Sequence, residues 1–301
     1  MRKNHIIRPT ARTARIRRNL TGYLFVGPAL LFFAVFVLLP VGLAAYLGFT
    51  NYDILTRSDW IGLDNYWRLL QDEIFHTTLA NIVSYVVLYV PLMIFLSFCA
   101  AILLNTRLFG ARAFRTIYYL PGLTSAVAAS TVWLWLLNPE YGLVNQILSY
   151  FGIVGPAWLS HSRTAMVSIV MVTLWSGVGG NIVMYLAGLQ NIPESLYESA
   201  SLDGAGPIRS AWYITFPMLA PTTFFISMML LIGSFQLFDQ AYVLTKGGPA
   251  NSTLTPVYLI YNNGFAELNM GYASAQAVGL FFLILLFTLV SRRFNREVTV
   301  V

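Results

Sequence analysis

The chain has 301 residues, 57% hydrophobic and only 10% charged, with a mean hydropathy of +0.67 and a formal net charge of +6. A soluble domain carries about 25% charged residues, so this composition excludes a water-soluble globular fold and places the chain in a bilayer. The one cysteine, Cys99, excludes an intrachain disulfide.

Six predominantly apolar stretches lack Asp, Glu, Lys and Arg: 19–52, 74–106, 116–139, 164–193, 210–238 and 268–291. Each exceeds the roughly 20 residues that a helix needs to cross about 30 Å of hydrocarbon. None alternates apolar and polar residues as a membrane strand would. The expected fold is therefore all-α and polytopic, with six transmembrane helices in one membrane domain.

In chain order, a basic arm over 1–18 precedes span one at about 22–46, where Pro28 and Pro40 are expected to kink the helix. That span is longer than the 7–15-residue core of a cleavable signal peptide and reads as a retained signal anchor. The outer connection, 47–73, carries Trp60, Tyr66 and Trp67, which suit an interfacial helix. Span two, about 75–104, is interrupted by Pro91, and span three, about 117–137, opens with Pro121-Gly122 and holds Trp133 and Trp135, expected to pack in the core or at the interface. Span four runs about 165–189, span five about 213–237 and span six about 271–290. The expected domain limits are a cytoplasmic arm 1–18, a six-helix membrane domain 19–292 with an inner loop 191–213, and a tail 293–301.

Lys and Arg fix the orientation. Fourteen of the eighteen bases fall on the arm, the connection after span two, the loop after span four and the tail; the other four are Arg57, Arg68, Arg163 and Lys246. The positive-inside rule then puts both termini in the cytoplasm. The basic arm precedes a span and faces anionic lipid, so the net charge calls for no nucleic acid.

Absences narrow the function. The two lysines, Lys3 and Lys246, lack the context of a phosphate-binding loop, and His5, His76 and His161 form no zinc motif. No Gly-x-Ser-x-Gly elbow is present. The span cores hold no ionisable side chain of the kind ion-coupled carriers use as relays. The chain is expected to be non-catalytic and to bind neither cofactor nor metal. Any uphill transport must draw its energy from outside this chain.

The loop between spans four and five is acidic where short inner loops are normally basic: Glu194, Glu198 and Asp203 face a single base, Arg209. Pro193-Glu194 suits a helix start, with acids at the positive end of the helix dipole. Ile192, Leu196 and Ala200 form a stripe, and Gly204 and Gly206-Pro207 break the helix before a second one leads through Trp212 to Pro217. The expected product is a short helix along the membrane face, shaped to dock in a groove of a cytoplasmic partner.

This pattern resembles the EAA motif of ABC importer permeases. Glu198-Ser199-Ala200 stands for Glu-Ala-Ala, Asp203-Gly204-Ala205 for Asp-Gly-Ala, and Ile214-x-Phe216-Pro217 for Ile-x-Leu-Pro. The basic arm before Tyr23-Leu24-Phe25-Val26-Gly27-Pro28, the stretch Ile61-Gly62-Leu63-Asp64-Asn65-Tyr66, and Gly247-Gly248-Pro249 extend the resemblance to the MalF/UgpA-like carbohydrate branch. So do Tyr261 to Phe265 and Gly271-Tyr272-Ala273-Ser274-Ala275. Ser199 and Phe216 are mild departures.

The resemblance implies a permease subunit in a bacterial inner membrane, importing a di- or oligosaccharide by alternating access. Glycerol-3-phosphate or another polyol is the alternative cargo, and a receptor or scaffold that recruits a cytoplasmic partner is the alternative of another class. Implied partners are a second homologous permease, a cytoplasmic ATPase dimer holding the Mg-ATP, an extracytoplasmic solute-binding protein and the bilayer. Glu198, Ser199, Ala200, Asp203 and Gly204 are the expected ATPase-coupling residues, and Gly247, Gly248 and Pro249 the expected binding-protein contact.

The substrate path is read from composition. Gly177-Val178-Gly179-Gly180-Asn181 can loosen span four beside a cavity, so that Asn181 meets a sugar hydroxyl with Trp175 or Tyr185 as an aromatic face. Equally, the glycines can let helices pack closely while Asn181 bonds a neighbour. Ser234 and Gln236 near the end of span five are further candidates for the path.

Overall fold

The computed structural model describes residues 23–55, 57–105 and 111–295. The basic arm 1–18, residues 106–110 and the tail from 296 lie outside them. Among the described residues every regular element is a helix, apart from an isolated antiparallel bridge between Thr50 and Trp60.

Helix α1 (Tyr23–Leu47) is apolar and winds as a π turn over Ala34–Leu38. Pro40 offers no N–H and its ring crowds the carbonyl four residues back. A wider preceding turn relieves both, so the expected kink takes the form of a π turn inside one continuous helix. Helix α2 (Asp64–Gln71) is the expected interfacial helix, with Trp67 exposed. Buried Asn65 ties it to the end of α1, its Nδ2 donating to the carbonyls of Gly48 at 3.0 Å and Thr50 at 2.7 Å. Asp72 then caps α3 (Glu73–Leu104) by accepting from the amides of Ile74 at 2.8 Å and Phe75 at 3.1 Å. Helix α3 runs unbroken through Pro91, which corrects the expected interruption. One missing hydrogen bond there is outweighed by packing along the helix flanks.

The third apolar stretch is divided. Helix α4 (Ala111–Tyr119) leads into a 3₁₀ turn at Leu120–Leu123, and α5 (Ala126–Leu136) follows. Pro121 removes a donor, and Thr124 closes the turn through its hydroxyl to the Pro121 carbonyl at 2.7 Å. The next connection contains α6 (Leu143–Tyr150), pinned by the Trp158 indole donating to Asn145 Oδ1 at 2.6 Å.

Helix α7 (Ser162–Leu189) is the long central element. The expected loosening at Gly177–Asn181 does not occur, because the helix passes straight through it. A Cβ on Gly179 would run into the backbone carbonyl of Tyr118, and one on Gly177 would meet Met93 Cε at 2.9 Å. The small residues serve close helix approach, which compensates their low helix propensity.

Helix α8 (Glu194–Leu202) and α9 (Pro207–Met218) form the connection to α10 (Ala220–Phe235), and α9 and α10 meet at a bend of 67°. A turn region with a π segment at Ala241–Thr245 leads to α11 (Pro256–Tyr261), and α12 (Met270–Asn295) closes the described chain. Among the described residues, α1, α3, α7 and α12 are long and apolar enough to cross a membrane, and the bent α9–α10 pair is a fifth if counted as one span.

The core is organised by α3 and α7, which run side by side in the same direction. Tyr89 and Met93 meet the middle of α7 at Gly177, while Phe98 packs edge-on against Tyr185 with ring centroids 5.7 Å apart. A larger cluster centred on Ile82, Tyr85, Met93, Ile169 and Val172 fills the end near α2 and α11. A smaller one, with Phe98, Ala101, Ile182, Tyr185, Leu219 and Ile226, fills the end that carries α8. By contrast α1 has no buried residue in its apolar window and touches the rest of the chain through Leu39–Leu47 against α12.

Replacing Gly179 by Val should cost about 1–3 kcal/mol through overpacking. Its neighbour Gly180, whose added Cβ meets nothing within 4 Å, should accept Ala with no loss. Melting of the two variants followed by size-exclusion chromatography checks the contrast.

Candidate functional site: an acidic surface helix tied to the core

Helix α8 begins where the sequence places it. Pro193 occupies the N-cap position, and Glu194 lies in the first turn. Its other end closes as a Schellman turn. Gly204 adopts a left-handed φ of +78°, its amide donates to the Ser201 carbonyl at 3.1 Å, and the Ala205 amide donates to the Ala200 carbonyl at 2.8 Å. The small residues of the pattern therefore have distinct tasks. Gly204 adopts a backbone conformation costly for any other residue, Ala200 supplies the carbonyl that ends the helix, and Ser199 turns its hydroxyl back to the Ser195 carbonyl at 2.9 Å. Glu198, Ser199 and Asp203 are exposed, and Ala200 is half-buried.

Two links join this surface helix to the membrane part. Tyr197 and Thr215 share a hydroxyl–hydroxyl bond of 2.9 Å, so α8 is fastened to the π segment Ala211–Thr215 of α9. The next residue, Phe216, packs edge-on against Phe98 of α3 at 5.6 Å. Phe98 in turn meets Tyr185, whose hydroxyl donates to Thr223 Oγ1 of α10 at 3.1 Å. Helix α8 is thereby linked to α9, α3, α7 and α10 through contacts that share one small core. Tyr197 and Thr215 lie within the loop pattern that the sequence marks out, but nothing in it assigned them, or Phe98, a linking role.

The path residues expected from sequence do not converge. Tyr185 is fully buried in the second core, its ring and hydroxyl engaged inside the chain. Asn181 donates back to the Gly177 carbonyl at 3.0 Å. Trp175 is exposed, edge-on to Trp133 at 5.6 Å, and Trp133 packs against the core while Trp135 is exposed. Gln236 and Ser234 instead line a cleft of about 240 Å³ with Tyr85, Tyr89 and Thr173. Tyr85 and Tyr89 stack at 4.9 Å there. Two tyrosines four residues apart in an apolar span were the sequence signal for this pair.

At the opposite end from α8, the Gly247–Pro249 loop is tightly built. Asn81 of α3 donates to the carbonyls of Asn251 at 2.6 Å and Leu254 at 2.9 Å. Thr253, fully buried, donates to the Gly248 carbonyl at 2.7 Å. Gly247 is buried beneath Leu254 and Tyr258, with φ +78°, and Gly248 and Pro249 are half-buried; the outward residues are Lys246, Ala250 and Asn251. Burial pushes the Tyr258 phenol beneath this loop above its ordinary value, so it stays neutral at physiological pH. Among the described residues no group of three His, Cys, Asp or Glu could hold a metal.

Residues 77–300 match the family described as binding-protein-dependent transport system inner membrane component. The chain belongs to that family. Among relatives of this transport component, the probable ABC transporter permease YesP of Bacillus subtilis (strain 168) is 34% identical over 90% of this chain and 89% of its own length. The sn-glycerol-3-phosphate permease UgpA of Yersinia pestis is 33% identical, covering 90% and 92%. The arabinooligosaccharide permease AraP of Halalkalibacterium halodurans is also 33% identical, covering 87% and 83%. The same fold occurs in a crystal structure of a bacterial ABC transporter that imports the acidic polysaccharide alginate, with a TM-score of 0.83 at 24% identity over 95% of this chain and 98% of that one. It recurs in the alginate transporter bound to a pentasaccharide-loaded periplasmic protein, with a TM-score of 0.83 at 22% identity.

If Gly204 is needed for its left-handed backbone, Gly204→Ala should cost about 1–2 kcal/mol locally, a five- to thirtyfold rise in opening. Gly206, with φ −75° and open space around it, should accept Ala freely. Amide hydrogen exchange over 194–205 distinguishes the two.

Proposed function

We propose that this inner membrane component is the permease subunit of an ATP-driven importer for a neutral di- or oligosaccharide, and that α8 is its coupling helix. The observation that carries the reading is α8 itself. It is an exposed acidic helix with a fixed end, wired through Tyr197–Thr215 and Phe216–Phe98 into the second core, in a chain without a nucleotide-binding motif of its own. ATP hydrolysis then belongs to a cytoplasmic ATPase pair, which receives Glu198, Ser199, Ala200, Asp203 and Gly204 in a surface groove. Rigid-body movement of α8 would rock α9–α10 against α3 and α7, opening the path to alternate sides of the membrane.

Six crossings complete this reading: α1, α3, the broken α4–α5 segment, α7, the bent α9–α10 pair and α12. Both termini lie in the cytoplasm, as the distribution of Lys and Arg favours, with the arm 1–18 and the tail 293–301 flanking the membrane domain 19–292. The bare apolar surface of α1 supports a second, homologous permease as partner, since one face of a helix must be covered by protein or lipid. The periplasmic solute-binding protein meets the loop at Gly247, Gly248 and Pro249 through the outward Lys246, Ala250 and Asn251.

Cargo choice rests on the cleft beside α3. It offers stacked Tyr85 and Tyr89, Gln236, Gln240 and Asp239, and no basic side chain. Aromatic faces with amide and carboxylate groups suit sugar hydroxyls and CH faces, whereas a phosphate ester calls for a cation. That favours a neutral sugar over glycerol-3-phosphate. Trp175 and Asn181 flank the route on the exposed side of α7, and Tyr185 acts in packing.

Glu198→Lys should abolish sugar uptake in cells while the chain still inserts and keeps its partner permease; normal uptake would remove the coupling role. Gln236→Leu should raise the half-saturating sugar concentration in reconstituted vesicles roughly three- to tenfold, as loss of one hydrogen bond of about 0.5–1.5 kcal/mol implies. A permease that copurifies with no ATPase would instead favour a scaffold.

A further inference from the structure

An apolar groove of about 600 Å³ opens between α3 and α9 at the end that carries α8. On α3 it is floored by Pro91, Ile94, Phe95, Phe98, Cys99 and Ile102, spaced three and four apart along one face. It extends from Val90 to Leu103, about 20 Å of helix at 1.5 Å per residue. One leaflet of hydrocarbon is about 15 Å deep. The groove is thus as long as one acyl chain's share of the bilayer, and its walls expose almost no polar surface.

Its mouth is different. Ile208 and Trp212 line both the groove and a neighbouring surface cleft that contains Arg209 and Tyr213. Arg209 is exposed and has no ion-pair partner among the described residues, although its loop carries three acids. Trp212 and Tyr213 are the residue types that settle at the headgroup level. An apolar slot of leaflet depth therefore ends at an aromatic pair and one free guanidinium.

We propose that this groove is a binding site for one anionic phospholipid of the inner leaflet, with an acyl chain between α3 and α9 and the headgroup phosphate on Arg209. The guanidinium fork matches a phosphate geometrically, and the surrounding membrane supplies the ligand at high concentration. Phe216 and Phe98, the contact that ties α9 to α3, form part of the groove wall. A lipid seated there touches the joint through which α8 acts, so lipid charge can tune coupling. The leaflet rests on the orientation proposed above, but retention of the lipid can be read without any transport measurement.

The test uses the full chain purified with its partner subunits, incubated with phosphatidylglycerol or phosphatidylcholine and examined by native mass spectrometry. One phosphatidylglycerol should be retained per copy of this chain, with at least tenfold preference over phosphatidylcholine. Arg209→Gln should abolish that preference, Arg209→Lys should keep most of it, and Ala211→Trp, which fills the groove, should lose both lipids. Millimolar inorganic phosphate should not displace the lipid; displacement would mean a headgroup site without an acyl slot and would overturn the proposal. Equal retention by the wild type and Arg209→Gln would also overturn it. So would crosslinking of Cys99 to a partner protein in the intact complex, since the groove would then be a protein interface. If Ala211→Trp fails to assemble, the Gln and Lys pair at exposed Arg209 still decides the matter.

Discussion

Close approach to α7 is the constraint on which the rest of the structure depends. Along that helix three glycines face neighbours rather than open space. Gly177 meets Met93 and Tyr89, Gly179 meets the backbone at Tyr118, and Gly188 meets Leu219 and Thr222. Hydrocarbon gives no hydrophobic drive for helices to associate, so tight van der Waals contact at small residues has to supply it. Because α7 touches α3, α4 and the bend before α10 at these points, both cores and the cleft by Tyr85 are set by its position.

The same constraint holds a surface helix of nine residues against the core. Alone, a helix so short is marginal in water. Here it is closed at one end by the Gly204 turn and fastened by Tyr197 to Thr215, one residue before Phe216. The second core is small, and packed cores shift between arrangements rather than deform smoothly. In the proposed importer, a push on α8 would be passed on as a movement of whole helices about the 67° bend between α9 and α10.

The polar groups of the chain are gathered at the two ends. At one, Asn65, Asp72, Asn81, Thr253 and Thr255 satisfy backbone groups where helices stop and loops begin. At the other, three acids and one arginine lie on the loop around α8. Between them, serine and threonine hydroxyls mostly turn back to their own helix, as Ser97 and Thr173 do at 2.5 Å and 2.7 Å. That economy leaves the Tyr85–Gln236 cleft as a polar exception within apolar surroundings.

By itself the sequence determined the helical class, the apolar segments and the loop that carries α8. Runs without charge have a length that the bilayer dictates, and the Pro193 start and Gly204 stop are local backbone chemistry. It also showed where α2 lies, because Trp60 and Trp67 mark an interface. What it left open was contact. Pro91 reads as an interruption and Gly177–Asn181 as a loosened helix when each is considered alone, yet both lie in unbroken helices because neighbours compensate the local cost. Tyr185 and Gln236 looked alike as polar residues in spans; only packing against Phe98 and Thr223 buries the first, while the second opens onto a cleft with Tyr85, some 150 residues away in the chain. Local propensity is written in adjacent residues, whereas which side chains meet depends on helices brought together across the whole chain, and that is decided only when the tertiary structure forms.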